Sequence, residues 1–352
     1  MTVATIALDA MGGDRAPAET VAGAVDAARA GRQVLLCGPQ EQMEQELAGY
    51  GDVPGVEVVD APGVIDFHDE PVAAVRARPD SSMVTACRLV REGRAQGAVS
   101  AGNTGAMLAA SLLVIGRIKG VSRPGIAVML PAKDGPSVLI DAGANVDSRP
   151  EHLLQFGQLG SVFAEEVLGY QRPPVGLLSV GEESSKGDAL TLEAHTLLAA
   201  SDLEFHGNCE GRDALRGEIR VIVADGFAGN VLLKSLEGAG EMLFRELRAA
   251  ASSSLRAKLG GLLLLPALRG VRERVDPEAY GGAYLLGVRG LSVIAHGNSS
   301  RVAIRNAIET AARGAEVGLV ERMADRMAAS DLQDARAARN VPLVPDPENG
   351  VS

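Results

Sequence analysis

Short apolar runs of strand length alternate along this chain with longer stretches that have the periodicity of helices. Strands are predicted at residues 3–8, 34–37, 56–59, 137–140, 175–180, 219–224 and 291–295. Helices are predicted at 80–94, 150–168 and 299–317, and GAVSAGNTGA is expected to lead from a further strand into an apolar helix that ends near Ile115. This alternation is typical of an α/β fold in which helices cover a mostly parallel sheet. The chain has 352 residues, 46% of them hydrophobic, which is enough for a large core.

The chain contains no internal repeat and no linker that would separate independent domains. We therefore expect one intertwined domain over residues 1–340. The polar, proline-containing segment at 341–352 is expected to be a flexible tail.

Charge and composition exclude several classes of partner. A net charge of −11, with 3% aromatic residues and no Trp, argues against nucleic acid, which needs a basic surface and stacking platforms. Three scattered cysteines indicate neither a disulfide framework nor a Cys-x-x-Cys metal site, which fits a reducing cytoplasm. The first residues lack the features of a signal peptide, and no run approaches the roughly 20 apolar residues of a spanning helix.

Six loops that contain glycine follow predicted strands, at 9–14, 100–106, 141–147, 181–188, 225–230 and 296–300. In an open α/β sheet, loops at the carboxyl ends of strands meet at one crevice, where ligands bind. Helices that begin at such loops attract anions through their free N–H groups. The six loops together predict a phosphate or other anion site in a single crevice. The residues expected to bind substrate there are Asp9, Gly12, Gly13, Asp14, Ser100, Gly102, Asn103, Thr104, Asp141, Asn145, Glu182, Asp225 and His296.

Lys186 is conspicuous because only 5 of the chain's 34 basic residues are lysines. Its loop, GEESSKGD, is not a Walker P-loop, since the lysine comes before the second glycine. Either Lys186 is a solvated surface cation, or its ammonium holds phosphate or a developing oxyanion. Asn230 has a similar pair of interpretations, as a helix N-cap or as an oxyanion donor.

Other polar residues give weaker signals. HGNSSR lacks the last glycine of the hydrolase elbow, so Ser299 is expected to cap a helix and not to act as a nucleophile. The loop acids, Glu183 among them, have the chemistry to bind a divalent ion, and capping of loops explains them equally well. Isolated histidines and the pair His206 and Cys209 form no complete ligand set, so no metal site and no cofactor is predicted.

The segment 252–275 carries a different pattern. Leu255, Leu259, Leu262 and Leu263 share one helix face, and a basic cluster surrounds them. Gly260, Gly261 and Pro266 predict the tip of a hairpin. This hairpin is expected either to pack in a dimer or to dip its leucines among lipid headgroups. Its basic residues are Arg256, Lys258, Arg269, Arg272 and Arg274.

The loops, taken together, resemble one family: the bacterial acyl-carrier-protein:phosphate acyltransferases, which supply acyl phosphate for phospholipid synthesis. The resemblance runs in family order from residue 3 to about 311. The matching stretches are IALDAMGGDRAP, SSM with GAVSAGNTGAML, RPGIAVMLP, LIDAGANVD, GLLSVGEESSKGDAL, HGNCEGRD, DGFAGNVLLKSLEG and YGGAYLLGVRGLSVIAHGNSS.

The resemblance implies a three-layer α/β/α sandwich with one mixed sheet, similar to isocitrate and isopropylmalate dehydrogenases. It implies a homodimer that moves a long-chain acyl group from acyl carrier protein to inorganic phosphate. Lys186 and Asn230 match the family's catalytic lysine and asparagine. The product would pass to an integral-membrane glycerol-3-phosphate acyltransferase, so the enzyme is expected in the cytoplasm and peripherally at an anionic membrane surface.

Three other functions stay open from the sequence. The first is a phosphotransacylase that uses coenzyme A, and the second is a decarboxylating dehydrogenase of the same fold, although no GxGxxG fingerprint is present. The third is a non-catalytic membrane scaffold that uses only the segment 252–275.

Overall fold

The computed structural model describes residues 3–275 and 281–339, so the predicted tail at 341–352 lies outside the described residues. Within the described residues, eleven strands form one sheet in the order β3-β2-β1-β4-β11-β10-β5-β6-β9-β7-β8. The strands are β1 (Thr5–Asp9), β2 (Gln33–Gly38), β3 (Val56–Asp60), β4 (Gly97–Ser100), β5 (Gly125–Leu130), β6 (Ser137–Ile140), β7 (Val175–Leu178), β8 (Phe205–Cys209), β9 (Val221–Val223), β10 (Ala283–Leu286) and β11 (Leu291–Ile294).

Helices connect and cover these strands. They are α1 (Ala18–Arg29), α2 (Gln40–Ala48), α3 (Pro71–Ala77), α4 (Ser82–Arg91), α5 (Thr104–Ala110), α6 (Pro150–Glu166), α7 (Ala189–Ala200), α8 (Gly226–Ser252), α9 (Leu255–Val275), α10 (Arg301–Glu316) and α11 (Leu319–Arg339). A π-helical turn, Ser111–Ile115, extends α5, and a 3₁₀ turn, Gly211–Leu215, follows β8.

Two apolar layers lie on opposite faces of the sheet. On one face, side chains such as Ile6, Val138 and Val293 pack with helices α1, α6, α7, α10 and α11. On the other face, Ala98 and Leu139 pack with α3, α4 and α5 and with one side of α8. This arrangement confirms the predicted three-layer α/β/α sandwich with one mixed sheet.

Strand direction reverses in the middle of the sheet. Strands β1 to β4 and β11 are mutually parallel, and β5 runs in the same direction because β10 is antiparallel to both β11 and β5. Strand β6 is antiparallel to β5, and β9, β7 and β8 follow the direction of β6. The strands therefore end at two opposite edges, which we call the Asp9 edge (the ends of β1, β4 and β11) and the Asp141 edge (the ends of β6, β9 and β7).

This reversal makes the prediction of a single crevice wrong. The loops at 9–14, 100–106 and 296–300 lie at the Asp9 edge. The loops at 141–147, 181–188 and 225–230 lie at the Asp141 edge. Convergence of all six loops would require strands that all run in the same direction.

The segment after residue 225 folds as two long helices that pack against each other, α8 and α9. The hairpin prediction placed the tip at Gly260, Gly261 and Pro266, which is wrong, because α9 continues through these residues and the turn lies at Ser253 and Ser254. Serine hydroxyls end one helix and begin the next: Ser253 Oγ donates to Ala250 O, and Ser254 Oγ accepts from Ala257 N.

The hairpin exposes a series of apolar side chains. On α9, Leu263 is 76% exposed and Leu255 is 86% exposed; the side chains of Arg269, Arg272 and Arg274 lie outside the described residues. The large apolar residues of α8 that are also exposed are Phe227 and Val231 near its start and Met242, Leu243 and Leu247 towards the hairpin turn. Among the helices of the described part, none has both the length and the apolar character needed to cross a membrane.

Candidate active site

At the Asp9 edge, one buried carboxylate ties two strand ends together. Asp9 closes β1 and is 2% exposed; its Oδ2 accepts from Ser100 Oγ at 2.7 Å, and its Oδ1 accepts from Met11 N at 3.3 Å. Burial raises the pKa of Asp9, while the hydrogen bonds from Ser100 and Ser82 act in the opposite direction. Ser100 Oγ also accepts from Gly102 N at 3.0 Å. Asp9 therefore fixes the shape of this loop cluster and is not exposed to a ligand.

Glycine permits the close contact of the loops at this edge. A Cβ at Gly12 would lie 2.5 Å from Asp9 Oδ2 and 2.8 Å from Gly102 N, so a side chain there would push the loops apart. Gly13 has a φ of 117°, and the next residue, Asp14, donates its N–H to Gly297 O at 2.7 Å. The loops after β1, β4 and β11 thus form one unit.

Asn103 and Thr104 begin α5 beside this unit. Asn103 is the N-cap, since its Oδ1 accepts from Ala106 N at 3.0 Å, and its Nδ2 donates to Phe67 O at 2.9 Å. Thr104 and Asp14 are exposed, and neither side chain has a hydrogen-bond partner within the described residues.

At the Asp141 edge, a second buried carboxylate organises the loop after β6. Asp141 Oδ1 accepts from the N–H groups of Ile126, Gly143 and Ala144, and Oδ2 accepts from both nitrogens of Asn145, all at 2.8–3.0 Å. Burial raises the pKa of Asp141, and these donors oppose the rise. Five N–H donors on one carboxyl group are the partners of an ionised carboxylate. Asp141 and Asn145 thus hold the loop, and their polar side-chain atoms form hydrogen bonds within the protein.

The start of α8 lies directly on this loop. Gly226 N donates to Asn145 O at 3.0 Å, and a Cβ at Gly229 would lie only 1.9 Å from Asp141 O. Asp225 is the N-cap of α8 and accepts from the N–H groups of the second and third helical residues at 2.9 and 3.1 Å. Its carboxylate therefore occupies the position that an anion would take at this helix end.

Asn230 is the fifth residue of α8, so its interpretation as an N-cap is wrong. Its side chain is exposed and lies against Gly143. A Cβ atom added at Gly143 would be 3.5 Å from Asn230 Oδ1. The Asn230 amide has no hydrogen-bond partner within the described residues. This amide is available to a ligand.

The Lys186 loop, residues 179–188, follows β7 at the same edge, next to the end of β9. Asn208, buried on β8, fixes its backbone: Nδ2 donates to Glu183 O at 2.9 Å and to Lys186 O at 3.2 Å. Ser179 Oγ also donates to Lys186 O. The ammonium of Lys186 is exposed and forms no ion pair with the residues that the structure describes.

His195 on α7 orients Asn208. Its Nδ1 lies 3.0 Å from Asn208 Oδ1, an atom that only accepts, so the imidazole donates from Nδ1. In the same loop, Glu182 pairs with Arg212 at 3.4 Å, and both side chains are exposed. Asp188 caps α7 by accepting from Thr191 N.

Helix α8 connects the two edges of the sheet. Its Glu237 Oε1 lies 3.6 Å from His296 Nε2, in the loop after β11, and Glu237 Oε2 accepts from Lys234 Nζ at 2.8 Å. The neighbouring His296 side chain, and to a smaller degree Lys234, lower the pKa of Glu237. Asn230 and Glu237 are separated by seven residues, or about 10 Å along the axis. A ligand that lies along α8 can thus touch both loop clusters.

Two groups stand out among the predicted site residues. The polar atoms of Asp9, Ser100, Asn103, Asp141, Asn145 and Asp225 are engaged in shaping loops. Lys186 and Asn230 follow neighbouring parallel strands at one edge, and both present unengaged polar groups to solvent.

Ser299 differs from its prediction as a helix cap. The N-cap of α10 is Ser300, whose Oγ accepts from Ala303 N, whereas Ser299 is 5% exposed and its hydroxyl has no protein partner among the described residues. The three cysteines are all buried. Burial raises the pKa of Cys87 and of Cys209 to about 12, so neither thiol is poised to be a nucleophile.

Sequence reasoning did not identify the partners that hold the Lys186 loop. Asn208 stands in HGNCEGRD, where the sequence indicates only the incomplete ligand pair His206 and Cys209 and a match to the family. Glu237 was missed because it lies in the middle of a helix. The available signal was a polar residue inside a short strand, which points to a buried hydrogen bond.

Comparison with known proteins identifies the relatives of this chain. The model of one protein family, described as "Fatty acid synthesis protein", matches residues 4–322. A phosphate acyltransferase of Moorella thermoacetica is 47% identical over 327 residues, which cover 93% of this chain and 96% of the relative. A phosphate acyltransferase of Pelotomaculum thermopropionicum is 47% identical over 332 residues, 94% of this chain and 97% of that protein.

Solved structures show the same fold at low sequence identity. A phosphotransacetylase from Streptococcus pyogenes has a TM-score of 0.62 at 17% identity, covering 89% of this chain and 94% of its own. A phosphotransacetylase from Staphylococcus aureus has a TM-score of 0.57, also at 17% identity, with 89% and 94% coverage.

Proposed function

The chain belongs to the fatty acid synthesis protein family, and from that premise we propose that it transfers a long-chain fatty acyl group from acyl carrier protein to inorganic phosphate. It is a phosphate acyltransferase, as are its relatives at 47% identity over most of their length. The proposal adds the carrier protein as acyl donor. The products are acyl phosphate and the free carrier thiol.

In the proposed reaction, a phosphate oxygen attacks the thioester carbonyl and forms a tetrahedral oxyanion. Collapse of this intermediate breaks the C–S bond, and the departing thiolate takes a proton from solvent. The Lys186 ammonium balances the charge of phosphate and of the oxyanion, while the Asn230 amide donates a hydrogen bond to the oxyanion. Phosphate is itself a nucleophile, so positioning and charge stabilisation are the main tasks of the protein.

The observation that carries this proposal is the placement of Lys186 and Asn230. They follow two neighbouring parallel strands, β7 and β9, and each offers a polar group that the described protein atoms leave unused. The loop acids beside them are held by backbone N–H groups, as at Asp141 and Asp225. Those acids thus shape the site while the cation and the amide face the substrate.

Replacing Lys186 by alanine tests this assignment. The loss of one electrostatic donor typically lowers the rate about 10²–10³-fold, and the fold should be unaffected because the side chain is exposed. Lys258→Ala, an exposed lysine on α9, is the matched control. Activity of Lys186→Ala within a few-fold of wild type, at unchanged melting temperature, would sink the assignment.

Asn230→Ala is expected to lower the rate to a similar degree. Because Asp225 and not Asn230 caps α8, no loss of about 1 kcal/mol from a missing cap should accompany it. A destabilised variant with normal turnover would show that Asn230 is structural.

Identification of the product separates this function from the open alternatives. Purified protein, acyl-carrier thioester and phosphate should yield acyl phosphate by mass spectrometry. Equal or faster reaction with the coenzyme A thioester would favour a coenzyme A-dependent enzyme. Reduction of NAD or NADP by 2-hydroxy acids would indicate a dehydrogenase, and absence of turnover with intact vesicle binding would indicate a scaffold.

We also propose that the α8–α9 hairpin touches an anionic membrane, where a membrane-embedded glycerol-3-phosphate acyltransferase would take up the amphiphilic product. Leu262, Leu263 and Leu264 are 57–76% exposed on α9. Arg256 and Lys258, exposed one to two turns earlier, would add about 1 kcal/mol each at an anionic surface. The alternative partner for these leucines is a second copy of the chain, in a homodimer.

Changing Leu263 and Leu264 to Glu distinguishes a lipid surface from a second copy of the chain as the partner of these leucines. On the lipid proposal, sedimentation with phosphatidylglycerol vesicles is lost, and turnover of the soluble assay is kept. Leu215→Glu, at a 40% exposed leucine on the body of the protein, is the control. Dissociation of a dimer with unchanged vesicle binding would assign the leucines to the subunit interface.

A further inference from the structure

Five exposed cations gather at the Asp141 edge of a protein whose net charge is −11. None forms an ion pair with the residues that the structure describes, in contrast to the paired arginines elsewhere, such as Arg301 and Arg326. We call them the basic patch; they are Arg117, Lys119, Arg123, Arg149 and Arg289.

Contacts show that the basic patch is one surface. Arg289 lies in the β10–β11 turn, and its Nη2 would be 2.5 Å from a Cβ at Gly116, which precedes Arg117. The Arg117 guanidinium donates to Ser122 O, next to Arg123. Arg123 and Arg149 both lie near His152 on α6. Burial is the largest cause that lowers the pKa of His152, and the positive charges of these two arginines come next.

The basic patch lies beside the proposed site. Pro124, which follows Arg123, accepts from Asn145 Nδ2 at 2.8 Å, and Asn145 O accepts from Gly226 N at the start of α8. Asn230 comes one turn later on the same helix. The patch therefore borders the end of α8 at which the proposed chemistry takes place.

Exposed like charges repel one another, and neighbouring acids offset only part of this charge. On the same segments, the acids are Asp147 and Glu151, both exposed. A concentration of unpaired cations on an acidic protein generates a local positive potential, which attracts an acidic surface and repels a basic one.

We propose that the basic patch is the docking surface for the protein that carries the acyl group, and that this carrier presents an acidic face to it. The inference rests on the proposed function, in which the acyl donor is a carrier protein. The patch guides the carrier so that its acyl thioester reaches Lys186 and Asn230. Steering of this kind acts on association and depends on salt, whereas the chemical step is unaffected.

The test compares Lys119→Glu/Arg123→Glu with Lys119→Gln/Arg123→Gln and with wild type. For acyl-carrier thioester, kcat/KM should fall on the order of tenfold in the reversed variant and less in the neutral one. For the same acyl group on pantetheine, which lacks the carrier, kcat/KM should stay the same. Arg305→Glu/Arg313→Glu, at two exposed positions on α10 across the sheet, is the matched control.

A direct binding measurement separates docking from catalysis. Fluorescence anisotropy of labelled carrier with the enzyme, without phosphate, should show weaker binding to the reversed variant and a smaller dependence on salt. Carrier binding that depends on the patch without any acyl phosphate formation would reject the proposed function and retain the docking surface.

Three results would overturn the docking proposal. Equal losses with carrier and pantetheine substrates would place the patch in the site itself. Unchanged carrier binding in the reversed variant would show that the carrier does not dock on the basic patch. Loss of binding to phosphatidylglycerol vesicles, with carrier kinetics intact, would assign the patch to a lipid surface.

Discussion

Replacing Asn208 by leucine is expected to slow turnover about 10- to 100-fold, because it releases the backbone that carries Lys186. Leucine has the same number and branching of side-chain heavy atoms as asparagine but cannot donate to Glu183 O and Lys186 O, which Asn208 Nδ2 reaches at 2.9 and 3.2 Å. It also leaves His195 Nδ1 without its acceptor. The change therefore removes three hydrogen bonds around one loop.

The loss of stability in Asn208→Leu depends on which hydrogen bonds the two carbonyl groups keep. Glu183 O still accepts from Lys186 N, and Lys186 O still accepts from Ser179 Oγ, so neither carbonyl is left without a donor. Hydrogen bonds of this kind contribute about 0.5–1.5 kcal/mol each, which gives about 1–3 kcal/mol for the two lost from the loop. That energy suffices to populate other loop positions, and a displacement of about 1 Å at a reacting group costs about 10²-fold in rate.

The assay measures kcat, KM for phosphate and the free energy of unfolding by urea. His206→Leu, at an exposed position on the same strand, is the matched control and should leave all three unchanged. The positioning role is supported if kcat falls by more than the loss of stability can explain. Unchanged kcat in Asn208→Leu, with or without lower stability, would refute the reasoning.

Three further predictions concern packing, charge and thiols. Gly229→Ala should cost about 3 kcal/mol or more and most of the activity, because its Cβ would lie 1.9 Å from Asp141 O; Gly238→Ala, with open space around it, should gain up to about 1 kcal/mol in the same urea titration. The hydrogen bond from Arg301 lowers the pKa of Asp26, so their pair stabilises the fold above the carboxyl's ordinary pKa of 3.8 and loses this effect as the pH falls through the lower folded value. Asp26→Asn should thus lower the unfolding free energy by about 1 kcal/mol at pH 7 and by progressively less in acid, and a constant difference would contradict this. The native thiols should not react with a disulfide reagent, and replacing all three by Ala or Ser should preserve turnover without any trapped acyl-enzyme; they are Cys37, Cys87 and Cys209.

The sequence predicted most strands to within two residues and missed β5, β8 and β10. The strand predicted at 137–140 matches β6, that at 34–37 is one residue shorter than β2 at each end, and that at 291–295 is one residue longer than β11. Strand β8 was missed because its sequence, FHGNC, is half polar and lies at the sheet edge, where only its last two residues are buried. Strand β10 was missed because four residues between two glycine turns leave no periodicity to detect.

The reversal of strand direction was missed for the same reason. Strands β5 and β6 are joined by residues 131–136, and β10 and β11 by residues 287–290. Connections this short permit only antiparallel pairing, since a parallel crossover needs a dozen or more residues. With β5 and β10 unrecognised, these short connections gave no signal, and the six loops were assigned to one edge.

The candidate site was predictable in part because its signals are local. Lys186 is conspicuous because lysine is rare in this chain, and the glycine loops show directly in the sequence. The contacts of Asn208 with residues 183 and 186, and of Glu237 with His296, join positions far apart in sequence. No periodicity or spacing within a single sequence encodes such pairs.

The placement of α8 across both edges limits which insertions and deletions this chain can accept. One residue gained or lost between Asn230 and Glu237 would turn the rest of the helix by about 100° and shift it by about 1.5 Å. His296 would then lose Glu237, while Asn230 would stay fixed against Gly143 by the start of the helix. The length of this segment should therefore be invariant among working relatives, whereas the helix beyond Glu237 is free to lengthen or shorten.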